Sequence, residues 1–564
     1  MRKTISANGP AERTVWNAID WRKTQRRVRN LRRRIFRASR DGDLAKVRSL
    51  QKLALRSHAV RLKAVRTVTQ ENAGKHTPGV DKLVVKTAEA RCELVDALGR
   101  HQPWHALPVR RVYIPKSNGK LRPLGIPSIL DRAMQAVVKT ALEPEWEARF
   151  EPCSYGFRPG RGCHDAIGRI YNFALPNGRK KWVVDADIAG AFDNIGHDAL
   201  LGQLGTFPAR DLVRQWLKAG FMENGILHDT DAGTPQGGVI SPLLANIAFH
   251  GMETAMGVRY NNRGEVISPR GLVRYADDFV IFCETEADAN TARAEMAAWL
   301  APRGLSLSET KTRIVHLSQG FDFLGFNVRQ YRVPTTRTGL KLLIKPTRAA
   351  IKRLKSRLRG EWRTLRGQNI AAVIGRLNPV IRGWANYNRG QVAKVIFADL
   401  DNWMFHHEVR WAKCSHSRKP WYWLKQRYWG RLRRTSRSPW VFGDARGNKA
   451  YLEKFSWTPI VRHIIVRWRS SPDDPALDGY WANRTKWQNA QLGLRWRELA
   501  LRQKGICPRC GESLHNDEHL QVHYRKARRL GGTRETDNQQ LMHLICHQQA
   551  LADEKQARRR TRFA

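Results

Sequence analysis

The sequence predicts a multi-domain α+β protein, and three observations carry that reading. Between about residues 105 and 335, short β-rich runs alternate with helical ones. On both sides of this stretch the chain is basic, with apolar residues recurring at helical spacing. A compact Cys/His module occupies residues 500–564. A chain of 564 residues has material for several cores, and a composition 41% hydrophobic and 9% aromatic belongs to a folded protein.

Charge narrows the function class. Lys and Arg total 100 against 50 acidic residues, a formal net charge of +50. A small-molecule enzyme gains nothing from that excess, whereas a protein that neutralises many phosphates does. Nucleic acid is the expected partner. Cys92, Cys153, Cys163, Cys283 and Cys414 are scattered, so no disulfide framework is expected, and the reading is a reducing compartment. No apolar run approaches the ~18 residues that span a bilayer, and Met1–Ser6 lacks the apolar core of a signal peptide. Only Glu12 and Asp20 are acidic in the first 40 residues, which leaves an organellar presequence as the alternative to a cytoplasmic location.

Residues 21–40 contain ten Lys/Arg and no acid, while Trp21, Val28, Leu31 and Ile35 form one apolar stripe. This is a helix with a strongly basic remainder, and a merely solvated face would mix signs. Thr77–Asp81 is a turn before the main domain. Arg110–Lys116 and Lys120–Pro127 flank a Ser-Asn-Gly turn, a basic hairpin suited to phosphate oxygens. Lys181–Ile188 reads as a buried strand ending at Asp187, followed by a turn into a helix through Phe192. In Thr234–Leu244, Pro235, Gly237 and Gly238 impose a fixed loop, and an apolar helix follows. Tyr275-Ala276-Asp277-Asp278 lies between two apolar runs and reads as a hairpin tip. Two adjacent carboxylates repel one another, so they call for a cation. With Asp187 they make a three-carboxylate site for two Mg²⁺ ions about 4 Å apart, the arrangement used for nucleotidyl transfer. The bland alternative is an Asp-Asp turn in solvent.

After Lys345 a second basic helical region begins, with Ile351, Leu354, Leu358 and Trp362 in one stripe. Eleven of the twenty tryptophans lie between 400 and 500, interleaved with Arg and Lys. Most are expected in the core and a minority on unpaired bases. Cys507 and Cys510, then His543 and Cys546, are two pairs with the spacing of a tetrahedral Zn²⁺ site.

The ordered set Leu121–Leu124, Tyr155–Gly160, Ala186–Ile188, Thr234–Gly237, Tyr275–Asp278, Gly304–Leu307 with Lys311-Thr312, and Phe323–Phe326 resembles a group II intron-encoded reverse transcriptase and maturase. Leu377–Tyr387 is similar to the thumb or maturase region of that family. The resemblance implies a right-hand polymerase, with fingers and palm in 76–340. A basic extension over 1–75 precedes it, and a helical thumb (341–440) and a basic DNA-binding region (441–499) follow. It implies catalytic metals on Asp187, Asp277 and Asp278, assisted by the Ile188 backbone. Lys116 and Arg122 are expected on the dNTP triphosphate, Phe192 as steric gate and Gln236 in the nucleotide pocket. Intron RNA, target DNA and dNTPs are the implied partners, with no membrane, in a bacterial ribonucleoprotein. The implied activities are splicing assistance and target-primed reverse transcription during retrohoming. Retron and diversity-generating reverse transcriptases share the core but lack the maturase segment and C-terminal module. A splicing cofactor with decayed polymerase and nuclease is the other alternative.

Val522–Arg525, Gly531-Gly532 and Asp537-Asn538 resemble the ββα-metal fold of HNH endonucleases. Aligned without gaps, His523 takes the place of a metal ligand and Tyr524 that of the general base, while Asn538 and His547 fill the remaining roles. A second divalent metal is implied there. A Tyr hydroxyl, with a pKa near 10, is a poor base at neutral pH beside a His near 6.5. The fold is therefore expected and cleavage is in question. A zinc-stapled DNA-binding knob is the competing reading.

Overall fold

The computed structural model describes residues 15–100, 103–115, 119, 121–447, 449–516 and 518–563; for Leu494, Gln556 and residues 558–563 only the backbone is described. Helix α1 (Trp21–Arg40) starts at Asp20, whose carboxylate accepts the Lys23 N–H at 2.9 Å. Its Trp21, Val28 and Ile35 stripe is buried, as the periodicity predicts. With α2 (Leu44–Arg56) and α3 (His58–Arg66) it packs on the long Ile129–Arg149 helix.

The charged face of α1 departs from expectation. Arg32 forms a fork with Asp473, Nε to Oδ1 at 2.9 Å and Nη2 to Oδ2 at 2.6 Å, and reaches Glu143 at 2.8 Å. Arg40 meets Asp474 at 3.0 Å, and Arg33 pairs with Asp478. Three arginines of that basic face therefore clamp a segment more than 400 positions away in the chain.

The β-rich middle forms two four-stranded sheets. In one, Val109–Pro115 and Leu121–Ile126 make the predicted antiparallel hairpin, extended by the short strands Phe221–Glu223 and Ile226–His228. In the other, all antiparallel, the order is Gly271–Tyr275, Asp278–Cys283, Trp182–Asp187, Arg313–His316. Its central strands bury Val183, Val184, Phe279, Val280, Ile281 and Phe282, which fixes the register by apolar burial on both faces. A three-stranded sheet (Phe321–Phe323, Phe326–Arg332, Leu340–Pro346) leads into the helical region.

There Arg348–Thr364, Ile370–Asn388 and Lys394–Ser415 enclose a separate core that includes Leu354, Leu358, Trp362, Leu377, Phe397 and Trp411. Of the eleven tryptophans between 400 and 500, Trp411 and Trp429 are buried, Trp421, Trp440 and Trp496 are exposed, and the rest are half-buried. The C-terminal module consists of the antiparallel strands Leu520–Tyr524 and Gln539–His543 and the helix Leu544–Phe563. The chain is thus a multi-domain α+β protein. Among the described residues no helix is long and apolar enough to cross a membrane.

Candidate carboxylate and metal centres

The hairpin tip is the two-residue turn Ala276-Asp277, with Tyr275 opposite Asp278. On the other side of that strand, Asp278 lies opposite Asp187. Strand register thus brings together two carboxylates 91 positions apart, with Asp277 at the adjoining turn. Asp187 and Asp277 are half-buried and Asp278 is exposed. Desolvation first, then the charges of Asp277 and Asp187, push the Asp278 carboxyl up to about 7. Asp277 is also raised, by desolvation and Asp187, against the opposing pull of Arg122 and Lys311. The Lys311 ammonium is hydrogen-bonded to Asp187, and that bond is the main cause of its raised pKa. Three oxygen donors under mutual repulsion, with Arg122 and Lys311 as local counter-charges, form a donor set that suits a hard divalent cation.

The tip is held from beneath by residues that sequence reasoning did not single out. Ala276 is left-handed (φ 58°), unusual for a residue with a Cβ. Arg274, only 1% exposed, donates from Nη1 to the Ala276 carbonyl at 3.3 Å and to Asn246 Oδ1 at 2.9 Å. Asn246 in turn donates to the Gly156 carbonyl at 2.8 Å. A Cβ on Gly156 would meet the Ala276 nitrogen at 2.4 Å, which explains why the Tyr155–Gly160 segment carries glycine there. Behind this layer, Glu253 accepts the Cys153 N–H at 2.7 Å and is hydrogen-bonded to the Tyr260 hydroxyl. Burial, then Glu151, pushes Glu253 up to about 8. A buried polar residue beside an acidic tip is the only sequence signal for this layer, and Arg274 looked like part of an apolar strand.

Phe192 and Gln236 line one cavity of about 370 Å³, together with Arg111, Tyr113 and Pro123. The Gly125 N–H donates to the Gln236 carbonyl at 2.8 Å, and Gly237 (φ 126°) passes so close that a Cβ would lie 2.7 Å from the Gly125 oxygen. The Thr234–Gly238 loop is thereby fixed to the basic hairpin. Ile188 is buried beyond Asp187 and bridges to Leu307. Arg122 contributes its field at Asp277, while Lys116 lies outside the described residues.

In the C-terminal module the ligand atoms of Cys507, Cys510, His543 and Cys546 all lie within 4.8 Å of one another, and all four residues are buried. His543 Nε2 is 3.0 Å from the Ser513 carbonyl, and its Nδ1 is 3.3 Å from Cys510 Sγ. With Nε2–H donating to the carbonyl, Nδ1 is left as the ligand nitrogen. This group can bind zinc.

A second grouping lies on the neighbouring face. The rings of His523 and His547 are 5.4 Å apart, and Glu554 Oε1 is 3.4 Å from His523 Nε2. The Nδ1 atoms of both histidines are buried without a hydrogen-bond partner. Glu554, a turn and more along the helix, escaped the sequence reading because no motif spacing includes it. Strand alternation sends Tyr524 to the opposite face from His523, where its hydroxyl accepts from Arg495 at 3.2 Å. The Asn538 side chain is taken up by backbone: it accepts from the Lys526 N–H at 2.8 Å and donates to the Lys526 and Thr533 carbonyls, both at 2.9 Å. Gly532 permits this, since a Cβ there would lie 2.0 Å from the Lys526 oxygen.

A carboxylate-bearing antiparallel sheet beside a basic hairpin, a helical basic region and a Cys₃His module define a nucleic-acid polymerase class with an appended metal-binding module. Family comparisons specify it. Residues 16–98 match the N-terminal domain of reverse transcriptase, and 114–328 match the reverse transcriptase (RNA-dependent DNA polymerase). Residues 351–429 match the group II intron maturase-specific domain and 507–551 the HNH endonuclease. Protein YkfC of Escherichia coli K12 is 38% identical over 306 residues, covering 47% of this chain and 79% of that protein. The group II intron-encoded protein LtrA of Lactococcus lactis is 31% identical over 333 residues, 48% of this chain and 55% of LtrA. Among solved structures, telomerase from Candida albicans overlays with a TM-score of 0.32 and 13% identity, over 55% of this chain and 58% of that one. The chain belongs to the group II intron reverse transcriptase/maturase family and carries an HNH endonuclease domain.

Proposed function

We propose that this protein binds its intron RNA, promotes splicing and copies the RNA into DNA from a primer at a target site. In this reading 76–340 are fingers and palm, 341–440 the thumb, 441–499 a DNA-binding region and 500–564 the HNH-like module, with 1–75 as an RNA-gripping extension. The observation that carries it is the opposition of Asp187 and Asp278 across one strand pair, with Asp277 at the adjoining turn.

Bound Mg²⁺ supplies activation of the primer 3′-hydroxyl and charge neutralisation at the leaving pyrophosphate. The chain's own part is positional. Asp187, Asp277 and Asp278 would hold the metal ions through their carboxylates, and Arg274 and Asn246 keep the tip in its left-handed turn. Arg122, and Lys116 beside it in sequence, attract the triphosphate. Phe192 closes the sugar side of the cavity against a 2′-hydroxyl, and Gln236 lines the nucleotide pocket.

RNA binding is supported by a cleft of about 420 Å³ in the maturase-matching region, lined by Arg359, Arg363, Arg366 and Arg410 around Trp403 and His407. Among the described residues no carboxylate lines it, and four guanidinium groups converging there suit phosphates. For the nuclease, the family match supports the fold, while Tyr524 at the base position supports loss or slowing of cleavage.

Primer extension on a poly(rA) template tests the polymerase assignment. The wild type should make cDNA and Asp277→Ala should make none. Equal product from both sinks the assignment. Splicing assistance with no cDNA from the wild type makes the protein a cofactor whose polymerase has decayed.

A further inference from the structure

The C-terminal module shares a hydrophobic core with the N-terminal helices. Val28, Val60 and Val65 on one side pack in the same cluster as Leu514, Leu541 and Met542 on the other. In the middle of that seam lies Arg66, the last residue of α3, with 1% of its surface exposed. Its guanidinium carbon sits 4.5 Å over the Trp21 ring, its Nε lies 2.9 Å from Glu71 Oε1, and its Nη2 donates to Cys546 Sγ at 3.1 Å.

A buried guanidinium needs anionic partners. Glu71 is only a shared one, since Lys63 lies 3.0 Å from it and the Thr67 hydroxyl donates to it at 2.8 Å. The remaining counter-charge comes from the Cys₃His group. Three thiolates and a neutral imidazole around Zn²⁺ would carry a net charge of −1, and Cys546 is the member of that group that meets the guanidinium. A loaded site would therefore set an anionic cluster directly against this buried guanidinium.

We propose that Arg66 is the outer-sphere partner of the zinc–thiolate cluster, and that zinc loading is what seats the HNH module on the N-terminal helices of the polymerase. The seat is an interface within the chain between residues matching two different domains. Because both events use the Arg66–Cys546 bond, each favours the other: docking slows zinc loss, and zinc strengthens docking. The clamp of Arg32, Arg33 and Arg40 on Asp473, Asp478 and Asp474 holds the preceding segment on the same helices. Together they fix the module relative to the copying site instead of leaving it on a loose tether.

Zinc transfer to a chromogenic chelator and amide hydrogen exchange on the full-length zinc-loaded chain test it. Arg66→Met should release zinc at least tenfold faster than wild type, and Arg66→Lys, which keeps the charge but loses the planar fork, should fall between. Lys52→Met, on the exposed face of α2, should match wild type. In the wild-type chain, stripping zinc should deprotect α3 together with the Leu520–Tyr524 and Gln539–His543 strands. Wild-type zinc retention in a folded Arg66→Met chain overturns the proposal. So does deprotection of the two strands while α3 keeps its protection, a measurement that stands even if Arg66→Met fails to fold.

Discussion

The carboxylate sheet and the C-terminal module are both candidate metal sites read from short motifs, yet they organise their residues in different ways. In the sheet, strand register sets Asp187 opposite Asp278, the αL turn sets Asp277 beside them, and a buried layer of Arg274, Asn246 and Gly156 supports the tip. In the module, the buried Cys₃His group is compact, while the neighbouring His523, His547 and Glu554 sit apart from Tyr524 and from an Asn538 bonded to its own loop. A site's completeness thus depends on what supports and faces each residue, which motif spacing does not record. The carboxylate cluster has three acids brought together and a supporting layer beneath them. The module has a buried Cys₃His group that can bind zinc, with Tyr524 turned away from the neighbouring His523 and His547.

The largest effect that could break this contrast is at the hairpin tip. Asp277→Ala should lower DNA synthesis by more than about 10³-fold, since it removes a donor from a site whose catalysis rests on metal placement. Primer extension measures it, and zinc content and splicing assistance should be unchanged in the same preparation. A loss of all three would mean that the tip is structural.

The supporting layer makes a pH prediction. Glu253 is raised to about 8 by burial and Glu151, against ~4.3 in an unfolded chain. An acid whose folded pKa is raised binds its proton more tightly in the native state, so its stability contribution is fully present below about pH 4.3. It is lost as pH rises toward about 8 and falls no further beyond. Glu253→Gln mimics the protonated form, accepting from the Cys153 N–H and donating to Tyr260. Denaturant melts across pH 5–8 should show a wild-type decline on the order of 4 kcal/mol at most and a flatter profile in the variant. Parallel profiles would show that Glu253 is ionised in the fold.

On the other side of the contrast, Tyr524→His is the decisive change. If Tyr524 occupies the position of the base, a plasmid-nicking assay should find the variant about 10²-fold faster than wild type, the usual scale of general-base catalysis. Robust nicking by wild type would instead assign activation of water to another group on the His523 face.

Much of this was legible in the sequence because it is local. The hairpins around Ala276-Asp277 and Gly119, the α1 stripe and the zinc ligand spacing each depend on residues near one another in the chain. What was not legible is long-range pairing. Arg274 sits among Leu272, Val273 and Phe279 and reads as a strand residue, and only the fold reveals the acceptors around it. Arg66 belongs to a basic run until Cys546, 480 positions on, meets it. Glu554 joins His523 only through the helix that follows the second strand. The apolar pattern specifies which faces are buried; the partners of a buried charge are set by topology.

The smallest predicted effect sharpens the same distinction within one residue type. Arg32 and Arg363 both lie on basic helices and looked equivalent in sequence. Arg32 is committed internally, to Asp473 and Glu143, whereas Arg363 lines the cleft around Trp403 and His407. Arg363→Ala should therefore weaken RNA binding only several-fold and reduce the slope of log affinity against log salt by about 0.7–0.9, the value for one phosphate contact. Thermal stability should be unchanged. Arg32→Ala should do the reverse, lowering stability by leaving Asp473 and Glu143 without their shared partner while the salt slope stays put. Filter binding across a salt series, with melts on the same samples, separates the two. If Arg32→Ala shifts the slope as much as Arg363→Ala, the clamp on Asp473 opens when RNA arrives, and the internal pairing of α1 is a resting state that the RNA displaces.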